Sequence, residues 1–393
     1  MNTLEILFWA FAIIVFYSFF GYGIVLYLMV KIRKSFFKRR NHQNENYEPT
    51  VSFIVPCYNE ASIIKGKILN TLAIDYPKNK LQVIFITDGS TDGTDLEVSK
   101  FGEVELLHLP QRKGKSAAEN RSVSYAKGEV IIFSDANTEL NPNVIRKIVR
   151  HYTDPMVGAV SGEKKIFQDK SENAAGAGEG FYWKYESKLK QWDSELLTVV
   201  GAAGELISFR KHLFTHLEED TILDDFILSL RITERGYRVQ YEPEATATET
   251  ASANSKEELK RKVRICAGGW QAMSRLTSLL NFTKHPLLTF QYISHRVLRW
   301  TLAPVFLLAL LPLNIVLSFD NSFYQMLLAL QLGIYIAAIF GYLFENKSIR
   351  IKPFFIPYYF LFMNYAAIAG FVRFAGKKQS STWERSERKV SMS

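Results

Sequence analysis

The sequence predicts an α/β domain held between one N-terminal membrane helix and two or three C-terminal ones, and three observations predict it. Residues Ile6 to Val30 carry no charged side chain, a longer run than the roughly 20 residues that cover a bilayer core at the helical rise. Three more uncharged runs, Thr301 to Phe319, Asn321 to Phe344 and Pro353 to Val372, lie near the C-terminus. Between these ends, short β-rich runs alternate with helical stretches over roughly 250 residues, the size of one domain.

The first run closes on Lys31, Arg33, Lys34, Lys38, Arg39 and Arg40, the basic flank of a cytoplasmic membrane boundary. A cleaved signal peptide would have an apolar region about half as long and a small-residue cleavage site. Much of the net charge of +9 lies in this flank and in the tail after Arg373. Basic residues beside membrane segments address anionic lipid, which excludes a nucleic-acid-binding class. Cys57 and Cys266 are the two cysteines; without metal-ligand spacing they read as reduced cytosolic thiols.

From Val51 the runs Val51 to Val55, Gln82 to Ile86, Val104 to His108 and Val130 to Phe133 read as strands. Helical periodicity begins near Ala61, Thr91, Lys115 and Asn141. Such βαβα alternation implies a mostly parallel sheet with helices on both faces. Ligands of open α/β sheets sit beyond the carboxyl ends of the strands. Those ends are polar here: Pro56 to Glu60, Thr87 to Thr94, and Ser134 to Asn137. Asp88-Gly89 and Asp92-Gly93 alone are turn dipeptides; with Glu60 and Asp135 they line one sheet edge with carboxylates, which need a cation or hydrogen-bond donors.

These segments, with Lys113 to Ser116, resemble the nucleotide-sugar half of a family 2 glycosyltransferase of GT-A fold. The resemblance implies a nucleotide-sugar seat at Pro56, Tyr58, Glu60, Asp88 and Lys115, Glu60 and Asp88 holding ribose and uracil. It places Asp135 at the first residue of the family's Asp-x-Asp element, as ligand of a divalent cation, Mg²⁺ or Mn²⁺, that bridges the two phosphates. Asn137 departs from the pattern, leaving Asp135 to carry more of the binding. A metal there suits a diphosphate leaving group, which gains negative charge in the transition state.

Val200 to Arg210 resembles the family's acceptor loop, which implies acceptor contacts at Gly204 and Glu205; a strand with a glycine bulge is the other reading. Asp224 and Asp225 open an amphipathic helix and resemble the family's acidic pair whose last Asp is the general base. That match assigns the base to Asp225, with Asp224 raising its proton affinity through like charge; two acidic residues also simply suit a helix N-terminus. Arg261 and Arg264 share a helix face and resemble the diphosphate clamp of the Gln/Arg-x-x-Arg-Trp motif of cellulose, hyaluronan and poly-N-acetylglucosamine synthases. Ile265 stands where those synthases have Trp, so Trp270 and Gln271 are the acceptor-side candidates on this helix, and Ile265 offers no flat face to a sugar.

Residues 1–47 are thus expected to form an anchor and linker, 48–271 the cytoplasmic catalytic domain, 272–300 interfacial helices, 301–376 a membrane bundle and 377–393 a basic tail. Three C-terminal crossings would leave this tail outside, against the positive-inside preference. One of the three segments therefore lies in the interface or re-enters, and Pro353 and Pro357 make the last the first suspect. The resemblance implies an inverting, multi-pass enzyme of the cell (inner) membrane that extends a surface polysaccharide from a UDP-sugar, possible accessory export proteins included. Transfer of one sugar to a lipid-linked acceptor is the alternative; a catalytically silent scaffold or transporter subunit is the remote one.

Overall fold

A computed structural model describes residues 2–36, 44–167, 176–250, 254–345 and 351–378, with the backbone alone at 176–182. Lys38, Arg39, Arg40 and tail residues 379–393 lie outside the described residues. The strands are β1 Val51–Cys57, β2 Leu81–Asp88, β3 Glu105–Leu109, β4 Val130–Ser134, β5 Glu139–Leu140, β6 Val157–Ile166, β7 Leu206–Arg210 and β8 Arg238–Glu249. The helices are α1 Thr3–Phe36, α2 Ala61–Leu72, α3 Thr94–Val98, α4 Lys115–Tyr125, α5 Val144–Val149, α6 Gly176–Leu196, α7 Asp224–Glu234, α8 Ser255–Arg275, α9 Pro286–Trp300, α10 Leu302–Ser318, α11 Ser322–Glu345 and α12 Lys352–Ala375.

One sheet runs β3-β2-β1-β4-β7-β6-β8-β5. The first four strands are parallel, as the alternation predicts. Beyond β4 the sheet turns mixed: β7 is antiparallel to both β4 and β6, and β5 to β8. The expectation of a mostly parallel sheet therefore holds without exception for β3-β2-β1-β4, and beyond them for the β6–β8 pair. Every residue of β1 is buried, because helices cover both faces and leave no polar side for the strand to show. Successive residues serve opposite layers. Ile54, Ile86 and Ile131 pack in one with Phe226 and Leu230, while Phe53, Val55 and Ile132 pack in the other with Ile64, Ile68 and Ile148.

Helix α1 has 34 residues, about 51 Å at the helical rise, well beyond one bilayer core. Its first half packs on the membrane segments: Phe8 joins Leu310, Leu317 and Tyr324, and Phe11 stacks on Phe306 at 4.1 Å. Its second half docks on the catalytic domain, with Tyr22, Leu26 and Val30 against Leu189 and Leu196. Lys34 reaches Glu195 at 3.0 Å. At the junction α1 widens into a π turn, Tyr17–Gly21, and α9 has one at Ile293–Val297. Such turns displace backbone bonding. Here Arg299 Nε donates to Ser18 O at 2.8 Å, Tyr185 Oη to Phe19 O at 2.8 Å, and the hydroxyls of Tyr17 and Ser294 lie 2.8 Å apart.

Helix α9 covers most of the predicted interfacial segment, but its polar residues turn inward. Gln291 and His295 are fully buried against α6, where carboxylates receive them instead of lipid headgroups.

By length and composition α1, α11 and α12 can each cross a membrane, and α9 with α10 can do so as a pair bent by 49°. Length alone does not decide α12. Ser255 Oγ at the start of α8 donates to Glu345 Oε1 at 2.9 Å, at the end of α11. Farther along, Trp270 lies 4.7 Å from the Phe371 ring, and Gly370 fits directly against Cys266 and Ala267. Helix α12 thus runs along α8, with Trp270 of α8 against Phe371 and Phe374 near its end, which places Lys377 and Lys378 on the α8 side, as the charge rule prefers. A single cysteine replacing Lys378 in a cysteine-free background is expected to react with impermeant thiol reagent from the catalytic side. Labelling from the opposite side alone would show that α12 crosses.

Candidate active site

One side of the candidate site is built at the ends of β1 and β2. Asp88 accepts from the backbone of Lys113 at 3.0 Å and of Gly114 at 2.6 Å, which pins the 112–114 turn beside β2. Gly89 is left-handed (φ +68°), and a Cβ there would lie 2.7 Å from Arg112 N, so only glycine lets that turn close. The Arg112 guanidinium then sits 3.8 Å above the Tyr58 ring. Asp92 ties the starts of α2 and α3 together through Ala61 N at 3.0 Å and Thr94 N at 3.1 Å, while Glu60 N donates to Thr94 Oγ1 at 2.8 Å. Pro56, Cys57, Tyr58, Asp88, Arg112, Gly114, Lys115 and Ala118 enclose a cleft. A second cleft, around Tyr47, Glu129 and Arg210, lies at the other ends of the strands and is lined by none of the candidate site residues.

The centre is organised by Lys115, the first residue of α4. Its Nζ lies 3.0 Å from Asp135 Oδ1, 3.1 Å from Asp224 Oδ2 and 3.7 Å from Glu119 Oε1. Burial works against its charge, but Asp135, Asp224 and Glu119 outweigh it and hold the ammonium well above the usual lysine range. Burial also raises Asp135, with Lys115 opposing, and raises Glu119 well above the carboxylate range, with the Asp224 charge adding to it. Asp224 stays below that range: burial would raise it, but Lys115 and a hydrogen bond with Glu119 prevail. Asp225 is pushed up to about 7, first by burial and then by the charge of Asp224. Two adjacent carboxyls are thus driven apart in proton affinity, the pattern that separates acid and base roles.

On the other side, Gly204 faces Asp225, and a Cβ there would lie 3.1 Å from Asp225 Oδ2. The loop carrying Gly204 is held by Ser229 Oγ on Ala202 N at 3.1 Å and by Ser161 Oγ on Ala203 N at 3.2 Å. Glu205 pairs with buried Lys164, which also pairs with Glu249. Arg261 bonds Glu249 and Glu258, both at 3.2 Å, and so closes this ion-pair chain. Arg264 Nη2 reaches Ile222 O at 3.5 Å. Gln271 accepts from Ile222 N at 2.9 Å and donates to Asp220 O at 2.8 Å, which fixes the approach to Asp224.

Glu60, Asp88, Lys115, Asp135, Gly204, Glu205, Asp224 and Asp225 therefore gather around one edge of the sheet, while residues of α8 support it from behind. Trp270, expected at the acceptor, packs instead between Phe371 and Phe374 of α12. Three supporting residues escape a sequence reading. Lys67 is buried in α2 and donates to Ser134 Oγ at 2.9 Å and Thr138 O at 2.8 Å, bracing the turn that carries Asp135; burial lowers it to about 7. Glu119 and Arg112 carry no motif, and only the fold brings them to Asp224 and Tyr58.

Gly201 is left-handed (φ +82°), and a Cβ there would overlap the Phe226 ring at 2.1 Å. Gly201→Ala is expected to cost about 1–3 kcal/mol through overpacking and strain. It should also lower turnover, because Phe226 follows Asp225. Thermal unfolding and rate assays on the purified variant check this; an unchanged melting temperature would mean the loop relaxes freely.

This fold and this edge of carboxylates define a glycosyltransferase of GT-A type. Residues 52–217 match the glycosyl transferase family 2 model. That match runs from β1 through Asp135 to the 200–210 loop, and the chain is a glycosyltransferase. Poly-β-1,6-N-acetyl-D-glucosamine synthase of Staphylococcus aureus is 26% identical over 260 residues, 64% of this chain and 62% of that protein. The Staphylococcus epidermidis synthase is 24% identical over 263 residues with the same coverage. The chain spans 62% of the length of these curated relatives. Among solved structures, the mannosyltransferase PcManGT of Pyrobaculum calidifontis, solved with GDP-Man and Mn²⁺, shares the fold with a TM-score of 0.70 at 22% identity, covering 96% of this chain and 100% of that one.

Proposed function

We propose that the chain is an inverting transferase that moves a sugar from a nucleoside-diphosphate donor, UDP-sugar first among them, onto a growing surface polysaccharide at the cytoplasmic face of the cell membrane. One observation carries the reading. Asp225, with its raised carboxyl, faces the acceptor loop at Gly204 on one side of the Lys115 and Asp135 centre, and the nucleotide cleft opens on the other. The similarity to the staphylococcal synthases supports a polymer as acceptor.

The donor's base seats at Tyr58, Asp88 and Arg112, with Glu60 toward the ribose. Its diphosphate lies toward Lys115 and Asp135. Asp225 takes the proton of the acceptor hydroxyl as that oxygen attacks the anomeric carbon from the face opposite the departing nucleoside diphosphate. One C–O bond forms as another breaks, and the sugar's configuration inverts. A base so placed contributes about 10² to 10⁴ in rate. Among the described residues no three acidic, His or Cys side chains gather to hold a metal by themselves, but Asp135, already facing a cationic ammonium at 3.0 Å, offers the single carboxylate oxygen that a hard divalent cation takes beside a substrate's phosphates. Asp135 would hold Mg²⁺ or Mn²⁺, which when bound neutralises charge on the leaving diphosphate. Arg261, saturated by Glu249 and Glu258, contributes by ordering Glu205 through Lys164.

Transfer of a single sugar to a lipid-linked acceptor is the second reading. Ile265 and the packing of Trp270 against α12 favour it, because both take a flat aromatic face away from an extended sugar chain. Product sizing after incubation of membranes with labelled UDP-sugars separates the two. Polymer of many residues supports extension, and one lipid-extractable addition replaces it with the second reading.

A further inference from the structure

Lys115 occupies ground that a metal would need. Resting on the reading of Asp135 as a cation ligand, we propose that the Lys115 ammonium is a resident counter-cation that keeps a divalent cation off Asp135 until the donor's diphosphate draws the lysine away. The ammonium contacts Asp135 Oδ1 at 3.0 Å and Asp224 Oδ2 at 3.1 Å, in a side chain that is 17% exposed. A metal ion binds carboxylate oxygen at about 2.0–2.2 Å, so an ammonium and a metal on one oxygen lie no more than about 5 Å apart. At that range in a buried site two cations repel strongly. One must yield.

The side chain has somewhere to go. Lys115 also lines the nucleotide cleft with Gly114 and Arg112, and its four-carbon stem lets the ammonium move between carboxylate and phosphate without moving α4. The remaining carboxylates keep partners during that exchange. Glu119 hydrogen-bonds Asp224 from behind, so Asp135 is the group the lysine uncovers. Cation and nucleotide binding are then thermodynamically coupled, each strengthening the other by the same factor.

The experiment uses the full chain in detergent and titrates Mn²⁺ by electron paramagnetic resonance, with and without saturating UDP or GDP. In the wild type, nucleotide is expected to tighten Mn²⁺ binding about tenfold or more, within the usual range of such coupling. Lys115→Met should bind Mn²⁺ without nucleotide about tenfold more tightly than the wild type and lose most of the coupling, whereas Lys115→Arg should retain it. Thermal unfolding verifies that each variant is folded; should Lys115→Met not fold, Lys115→Gln carries the same comparison. Equal wild-type affinity for Mn²⁺ with and without nucleotide would overturn the proposal, as would coupling that persists unchanged in a folded Lys115→Met. Nucleotide binding with no Mn²⁺ binding under any condition would remove the cation reading of Asp135 and the proposal together.

Discussion

Asp225→Asn is expected to reduce kcat by about 10² to 10⁴ while leaving nucleotide binding near the wild-type value. The amide keeps the shape of the side chain and removes its basicity. The wild-type profile should rise with pH through about 7, where Asp225 gives up its proton, since the deprotonated form is the active base. The stability effect runs the opposite way. An unfolded aspartate ionises near 4, so between about 4 and 7 the native state holds a proton that the unfolded chain has released. Stability from this group is complete below the lower value and is lost as pH rises through the upper one. Asp225→Asn should therefore melt above the wild type at pH 8 and lose that advantage at pH 4. A variant with wild-type turnover would assign the base elsewhere.

Asp193→Ala should be the most destabilising single change at the joint between anchor and catalytic domain. Asp193 is fully buried at the end of α6; it accepts from the Tyr22 hydroxyl of α1 and from Gln291 Nε2 at 2.9 Å, and meets His295 Nδ1 at 2.5 Å. Glu186, one ring nitrogen away, pairs with Arg299 and lies 3.7 Å from Arg296. Burial would raise the Glu186 carboxyl, but Arg299 and His295 hold it well below the usual range. Removing Asp193 takes a carboxylate partner from three buried polar groups on two helices, Tyr22 of α1 and Gln291 and His295 of α9. Breaking a buried charged cluster from one side typically costs about 3–5 kcal/mol, roughly 10 °C in melting temperature for a domain of this size. Tyr22→Phe deletes one hydrogen bond and should cost only about 1 kcal/mol. Calorimetry in detergent ranks the two, and equal small losses would mean that α1 is merely tethered to the domain.

How much of this was visible beforehand depends on the range of the interaction. β1, β2, β3 and β4 begin within a residue of the apolar runs that predict them, because local propensity and strand-end polarity agree there. Asp88, Asp135 and Asp225 could be named because each ends a strand or opens a helix. The mixed half was not legible, since β7 runs antiparallel to β4 across more than 70 residues and no local pattern sets that register. Nor was the role of Trp270, whose neighbours Phe371 and Phe374 lie about 100 residues on. Lys67 and Glu119 have ordinary helical surroundings in sequence, and only the closed sheet buries them. Pro353 and Pro357 single out α12 in the sequence, whereas in the structure that helix is distinguished by its packing along α8.

The account rests on displacement at the anomeric carbon with Asp225 as base. Its most direct test is the anomeric configuration of the product, read by proton NMR after the purified full chain has turned over an α-linked UDP-sugar with acceptor. The expected result is a β-linked product with one UDP released per sugar transferred. An α-linked product, or sugar transfer that proceeds without nucleoside diphosphate release, would contradict it.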